Sequence, residues 1–258
     1  MMFIPIQTFE QLQGFFWILV RVSTMLFLLP FFGARNIPSL WKAGLSFIIA
    51  IVLAPVVPVP ANLPVTAPEI ILGIFSEALM GLILAITVRM FFAASEMGGQ
   101  FMSFQMGFSM ARAIDPQTGA ESTVITQFLY IFTILIFFAM DGHHMFIRIM
   151  AKSFSSVPLN SIRFQPAIGE ELIKAGASMF ILGIKIAAPV LVALFLSNLC
   201  LGIIARTVPQ VNILMVGFPV NLILGLILFC FILLNIYPLL FDIKNQMAES
   251  LVRLLGLM

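Results

Sequence analysis

Residues 73–89 read GIFSEALMGLILAITVR, an apolar run that carries a glutamate and an arginine among glycines and aliphatic residues. A helix places the residues that recur every four positions in one ridge: Gly73, Glu77, Gly81, Ala85 and Arg89. Small residues on such a ridge let another helix approach closely. A charge inside an apolar span costs at least ~2.5 kcal/mol on insertion scales, so we expect Glu77 and Arg89 to be buried in the helix contact.

The composition of the whole chain has the same character. Of its 258 residues, 61% are hydrophobic and 9% are charged, whereas a soluble domain carries roughly a quarter charged residues. Nothing alternates as barrel strands do, and a backbone in lipid must satisfy its own hydrogen bonds, so the spans are helices. The net charge of +2 is too small to indicate a nucleic-acid partner. The sequence therefore predicts an all-α integral membrane protein.

About six apolar runs approach or exceed the ~20 residues that cross a bilayer, and we expect them to form helical hairpins. They lie near 15–32, 40–57, 69–94, 122–140, 175–200 and 213–235. The stretches 95–122 and 141–174 between them are long and polar, and 241–258 is predicted to be an amphipathic tail at an interface. The Lys and Arg residues divide almost evenly between the two sides of a six-span topology, so loop charge does not orient the chain.

Polar side chains and glycines inside the apolar runs allow two interpretations. Either they pack helices together, within the chain or between subunits, or they line a path for ions or protons. No chain of Asp and Glu residues repeats across the runs, which favours helix packing. The residues concerned are Arg21, Gly73, Glu77, Gly81, Arg89, Lys185 and Asn221.

Motifs for enzymatic chemistry are weak. Residues 107–110, GFSM, superficially match the serine motif of rhomboid-type intramembrane proteases, with His143 or His144 as an imaginable base. Those histidines begin a polar stretch, however, and such a base must be packed on a small-residue helix face. Adjacent histidines point about 100° apart on a helix, a poor arrangement for one metal ion, and no HExxH motif is present. We therefore expect no catalytic residues, no cofactor and no metal.

The segment 97–111, MGGQFMSFQMGFSMA, differs from the other runs because it contains glycines that permit bends, while Phe and Met alternate with Gln and Ser. That composition suits neither an aqueous loop nor a plain lipid-facing helix. It is typical of a deformable stopper inside a conduit, or of a re-entrant or core loop without a gating role. Composition alone leaves both open.

Four blocks in sequence resemble the family of the flagellar biosynthetic protein FliR, the R component of the type III secretion export gate. The first is the segment 97–111 with Asp115-Pro116. The others are Pro30-Phe31-Phe32-Gly33 with Ile37-Pro38 and Lys42; Asp141-Gly142-His143 with Ser153-Phe154 and Pro158; and Leu201-Gly202 with Arg206, Pro209-Gln210, Asn212 and Gly217-Phe218-Pro219. Together they extend over nearly the whole chain.

The resemblance implies a non-enzymatic subunit of the bacterial inner membrane, located at the flagellar basal body and projecting toward the periplasm. It implies as partners the companion P and Q proteins, the substrate-switch component B, the large component A, lipid, and unfolded rod, hook and filament subunits in transit. It also implies a P-like portion, 1–172, with the plug segment 97–122, followed by a Q-like helical hairpin, 173–258. The helices would form part of a helical hetero-oligomeric gate.

The same resemblance assigns roles to three sets of residues. The closed pore would be plugged by Phe101, Phe104, Gln105, Met106, Phe108 and Met110. The plug would hinge at Gly98, Gly99 and Gly107. The family-motif loops would contain Asp115, Pro116, Asp141, His143, Arg206, Pro209, Gln210 and Asn212.

Two alternatives remain. Injectisome relatives share this architecture, although the 97–115 block favours the flagellar branch. A secondary solute transporter could place a midplane site at Glu77, Arg89 and Lys185, but transporters often contain internal repeats, and none is evident here.

Overall fold

The computed structural model describes residues 9–30, 38–60, 66–108, 123–161, 165–207 and 213–258, and these residues form helices without any strand. The helices are α1 (Phe9–Leu28), α2 (Ser39–Leu53), α3 (Ala67–Gln105), α4 (Val124–Ala139), α5 (Gly142–Ser156), α6 (Pro166–Thr207), α7 (Ile213–Asn235) and α8 (Tyr237–Leu257). The predicted class, an all-α integral membrane protein, is confirmed.

The number of spans is lower than the sequence indicated. Within the described residues, four helices are long and apolar enough to cross a membrane, namely α1, α3, α6 and α7. The count is five if α4 and α5, which meet at a bend, form one span. The run near 40–57 yields only the 15-residue α2, about 23 Å at 1.5 Å per residue, which is short of the bilayer core.

Helices α3 and α6 are longer than their apolar runs. α3 continues to Gln105, through residues expected in a polar stretch, and α6 begins at Pro166 rather than near 175. Tertiary packing extends α3, because Met102 and Met106 near its end are fully buried. Burial of this kind overrides the weak helix propensity of Gly98 and Gly99.

Helix α5 lies in the stretch 141–174, where only a polar segment was expected. Its buried positions follow a helical period: Gly142, Phe146, Ile149, Met150, Ser153 and Phe154. That spacing is the apolar stripe of an amphipathic helix, and it is visible in the sequence once charged residues such as Arg148 and Lys152 are assigned to the opposite, exposed face.

The C-terminal tail is helical as α8, and one side of it is buried. The buried positions are Ile243, Met247, Ser250, Leu251, Leu254 and Leu255, which again follow a helical period. This helix packs within the protein, and its predicted position at a membrane interface remains a prediction.

The chain divides into two compact units. The first comprises Met1–Met90, Asp141–Ala175 and Asn245–Met258, and the second comprises Phe91–Met140 and Gly176–Lys244. Both units are built from non-contiguous stretches, so they describe packing and do not test the proposed P-like and Q-like portions. The two sites described below lie in one unit each.

Candidate functional site

A buried ion pair joins α1 and α3 in the first unit. Arg21 Nε donates to Glu77 Oε2 at 2.5 Å, and the two side chains are 1% and 2% exposed. The other carboxylate oxygen, Glu77 Oε1, accepts a hydrogen bond of 2.9 Å from the backbone N–H of Asn160. Asn160 follows α5 and has a positive φ of 60°, so Glu77 also holds a left-handed turn in place.

The guanidinium of Arg21 is further satisfied by the C-terminal end of α5. Its Nη1 donates to the carbonyl oxygens of Ser153 and Val157, both at 3.1 Å. The ring of Phe154 covers the guanidinium, with its centroid 4.4 Å from Cζ. Because the last carbonyls of a helix carry partial negative charge, a cation is favoured at this end. Arg21 therefore joins α1, α3 and α5 at one point.

The predicted small-residue ridge of α3 forms the contact with α1. A Cβ added at Gly73 would lie 1.6 Å from the Trp17 ring, and one added at Gly81 would lie 2.9 Å from the carbonyl oxygen of Arg21. The contacts move toward the C-terminus of both helices together, from Trp17 and Gly73 to Arg21 and Gly81. The two helices are therefore parallel. Only glycine permits this approach, which brings the backbones close enough for Arg21 to reach Glu77.

The chemistry available to this cluster is limited. Both oxygens of Glu77 accept hydrogen bonds, and the guanidinium donates to Glu77 and to two carbonyls. A proton relay needs an acceptor that exchanges protons with water, whereas both side chains are buried. The geometry favours helix packing over proton conduction.

Two charges depart from the expectation of burial. Arg89 and Lys185 are exposed on the chain's own surface, because the ridge of α3 that packs on α1 leaves the Arg89 side chain outside. Burial of either residue against another subunit remains a prediction. Asn221 of α7 is half-buried; its amide donates to Asn198 Oδ1 at 2.6 Å and its carbonyl accepts from Ser197 Oγ at 3.1 Å, both on α6.

In the second unit, the last turns of α3 and the three residues after it form the described part of the predicted plug, 97–108. The Met106 side chain is fully buried against α7, where a Cβ added at Gly225 would lie 2.6 Å from Met106 Cγ. Gly107 has a φ of 91°, and its N–H bonds the Phe104 carbonyl at 3.1 Å, a left-handed ending typical of glycine. Phe104 is 69% exposed, and Phe101, Gln105 and Phe108 are half-buried.

Two of the predicted hinge glycines lie inside regular helix and make close contacts. A Cβ at Gly98 would lie 3.1 Å from the carbonyl oxygen of Gly183 on α6, and one at Gly99 would lie 2.8 Å from Thr126 Cα on α4. Ser103, one turn later, is hydrogen-bonded to Thr123 at the start of α4. These contacts fix α3 against its neighbours, so of the three glycines only Gly107 sits at a backbone turn.

The family-motif residues are scattered over the described chain. Asp141 is exposed with a left-handed φ of 56° at the start of α5, His143 is half-buried beside it, and Arg206 is exposed at the end of α6. The remaining predicted site residues lie outside the described residues: Met110, Asp115, Pro116, Pro209, Gln210 and Asn212.

Some contributors to the buried cluster carry no signal in the sequence. Val157 and Asn160 act through backbone atoms, which every residue possesses, and Ser153 acts through its carbonyl and, at 3.5 Å, its hydroxyl; these residues lie 83–136 positions from the side chains that they contact. Trp17, which fills the space above Gly73, is one of several aromatic residues in the first apolar run, and it precedes Arg21 by one helical turn.

Comparison with known proteins agrees with the fold. Residues 12–247 match the family described as Bacterial export proteins, family 1. The flagellar biosynthetic protein FliR of Bacillus subtilis is 34% identical over 249 residues, 95% of each chain. The proteins of the same name from Pectobacterium carotovorum and Escherichia coli are 31% and 29% identical, over 92% and 96% of this chain and 94% and 96% of their own. The chain belongs to family 1 of the bacterial export proteins.

Proposed function

We propose that the chain is a subunit of the flagellar type III protein export gate. In this proposal it forms, with the companion P and Q proteins, the pore through which unfolded rod, hook and filament subunits leave the cell. It lies at the basal body in the bacterial inner membrane and projects toward the periplasm, next to components A and B. It acts as a conduit and not as an enzyme.

The observation that carries this proposal is end-to-end similarity to the flagellar relatives, which covers 95% of this chain and of the Bacillus subtilis protein. A match of that extent includes the plug segment, the loops and the terminal hairpin. It favours the flagellar over the injectisome alternative, because these relatives are flagellar biosynthetic proteins.

The exposed apolar surface supports a role in assembly. Helix α7 is only 22% buried over its apolar window, and bulky side chains stand out from it on several sides: Met215, Ile223, Ile227, Phe231 and Leu234. Lipid or neighbouring helices must cover this surface. In the proposed gate, the companion P and Q proteins cover part of this surface.

The plug is proposed to be the segment 97–122, which comprises the last turns of α3 and the residues after it. The support is that α3 ends at a left-handed glycine, Gly107, with Met106 anchored against Gly225 and Phe104 directed away from the protein. An anchored base with apolar side chains beyond it suits a stopper that excludes water and ions from a pore.

Deletion of residues 106–112 tests this proposal in cells that express the other gate components. We expect the inner membrane to leak ions, measured as a loss of membrane potential, while the variant still co-purifies with its companions. Unchanged ion permeability in an assembled gate would rule out the plug. Failure to co-purify with any flagellar export component, by contrast, would count against the gate itself.

A matched pair of single substitutions sharpens the test. Phe104→Ala removes an exposed aromatic ring from the plug, whereas Phe180→Ala removes one of similar exposure, 55%, from α6. We expect ion leakage from the first variant and none from the second.

The transporter alternative loses its proposed site. Glu77 is buried and engaged by Arg21 and the Asn160 N–H, whereas Arg89 and Lys185 are exposed. A solute that needs all three groups would first have to break the buried ion pair.

A further inference from the structure

The start of α5 brings three metal-ligating side chains together. Asp141 has a left-handed φ of 56°, which turns its carboxylate back over the first turn of the helix. There Asp141 Oδ1 lies 3.0 Å from His144 Nδ1. The ring of His143 lies beside that of His144, with centroids 4.1 Å apart. Each of the three residues offers a donor atom within 4.8 Å of the other two.

The observed geometry differs from the one on which the sequence-based argument against a metal rested. Adjacent histidines diverge on an ideal helix, but these two stand in the first turn of α5, and their rings lie side by side at an angle of 37°. Donor atoms around a tetrahedral zinc ion are about 3.4 Å apart, given metal–ligand distances of about 2.0–2.1 Å. The Asp141–His144 pair already has nearly that spacing, and the His143 donor atom lies within 4.8 Å of both, so His143 has to move closer when the ion binds.

We propose that Asp141, His143 and His144 bind one divalent transition-metal ion of the class that prefers imidazole, such as Zn²⁺ or Cu²⁺. Two imidazoles and a carboxylate are a donor set that these ions favour over Mg²⁺ or Ca²⁺. His144 and Asp141 are 59% and 76% exposed, so water completes the coordination. An ion bound by Asp141 Oδ1 and His144 Nδ1 would replace the hydrogen bond that joins these two atoms.

The site is open and stands at a helix N-terminus, whose positive dipole end opposes a cation. Its affinity is therefore weaker than that of a closed four-ligand zinc site. The consequence of binding is local: the ion fixes the turn from Asp141 to His144 and stabilises the first turn of α5. The proposal does not depend on the proposed export function.

Titration of the purified full chain with Zn²⁺ tests the site. The chain is produced in detergent without a polyhistidine tag, and binding is measured by calorimetry. We expect one saturable ion per chain, with affinity reduced about 10-fold or more in His144→Ala and in His143→Ala, because removal even of groups that only support a ligand costs this much. Asp141→Asn is the variant least disturbing to the fold, because asparagine tolerates the left-handed conformation, and it should also weaken binding.

The composition supplies a second readout and a control. The chain has only two histidines, so a Cu²⁺ electron paramagnetic resonance spectrum with hyperfine coupling to two imidazole nitrogens can arise only from this site. The exposed thiols Cys200 and Cys230 are the competing ligands, and a Cys200→Ser/Cys230→Ser variant should bind unchanged. Absence of saturable binding up to about 1 mM Zn²⁺, unchanged affinity in the histidine variants, or loss of binding in the cysteine variant would each overturn the proposal.

Discussion

Arg21 places a full positive charge where almost no water reaches it, and the protein tolerates this charge because every partner is in place. A buried pair of this kind adds little net stability relative to apolar residues, since desolvation offsets the Coulombic attraction. Loss of one partner is different, because the other charge is left buried and unpaired. The pair therefore specifies how α1, α3 and α5 meet more than it stabilises the protein.

We predict that Glu77→Leu destabilises the chain strongly, by about 3–5 kcal/mol, because Arg21 then lacks its counter-ion. The double variant Arg21→Met/Glu77→Leu should recover most of that loss, since no buried charge remains. Thermal unfolding in detergent measures both variants. Arg89→Met is the control on the same helix: Arg89 is exposed, so its effect should stay within about 0.5 kcal/mol.

Glu77→Gln separates packing from proton conduction. If Glu77 packs helices, this variant lowers stability and assembly together. Intact assembly with abolished proton-coupled export would contradict the packing interpretation and restore the proton path.

The sequence indicated which residues of the buried cluster are unusual, but it did not indicate which groups they contact. An arginine and a glutamate inside apolar runs stand out on insertion cost alone, and both lie in the buried cluster. The sequence has no signal for the carbonyls of Ser153 and Val157, because backbone acceptors are the same at every position. Arg89 lies on the same four-residue ridge as Glu77 but is exposed. Its exposure depends on how far along α3 the contact with α1 extends, which the sequence does not show.

At the scale of helices, α3 is held by close backbone approach at its glycines as well as by large buried side chains such as Met80 and Leu84. Gly98 and Gly99 give the backbones of α6 and α4 access to it, and Gly81 does the same for α1. Each glycine makes the helix less stable by roughly 1 kcal/mol relative to alanine. In return, each glycine allows a neighbouring helix to pack closely against α3.

We predict that Gly99→Ala destabilises the protein by about 1–3 kcal/mol, the usual cost of overpacking. The added Cβ would meet Thr126 Cα at 2.8 Å, and a backbone atom cannot rotate away. Gly176→Ala in α6 is the matched control, because nothing lies within 4 Å of its Cβ position; it should be neutral or stabilising by up to about 1 kcal/mol. Equal melting temperatures for the two variants would show that α3 does not depend on this contact.

The apolar runs of the sequence predicted where most helices lie, but tertiary packing determines where the helices end. α3 was expected to stop near residue 94, because glycine, glutamine and serine follow; buried Met102 and Met106 carry it to Gln105. α5 was not predicted, because the charged residues Arg148 and Lys152 on its exposed face made the stretch look polar although its apolar residues follow a helical period. The end of α3 at Gly107, by contrast, agrees with the glycine-rich composition that first drew attention to this segment.

At the scale of the whole molecule, large apolar side chains are about as common on the surface as in the core of the described residues. Lipid accepts almost any apolar shape, whereas a subunit interface requires a fitting one. Substitution of one apolar residue by a larger apolar residue therefore distinguishes the two environments.

We predict that Ile227→Trp on α7, where the isoleucine is 62% exposed, reduces co-purification with the companion gate proteins several-fold. The melting temperature of the isolated chain should change little, because Ile227 is not part of its core. Undiminished assembly of this variant would indicate that this face of α7 meets lipid.

The length of α3 has a consequence for the membrane itself. Thirty-nine residues extend about 58 Å along the helix path at 1.5 Å per residue, nearly twice the ~30 Å hydrocarbon thickness. Tilting cannot absorb this mismatch, since it would require about 60°, beyond the 0–40° observed for membrane helices. The part of α3 that the hydrocarbon core cannot accommodate must therefore be covered by other protein or reach water.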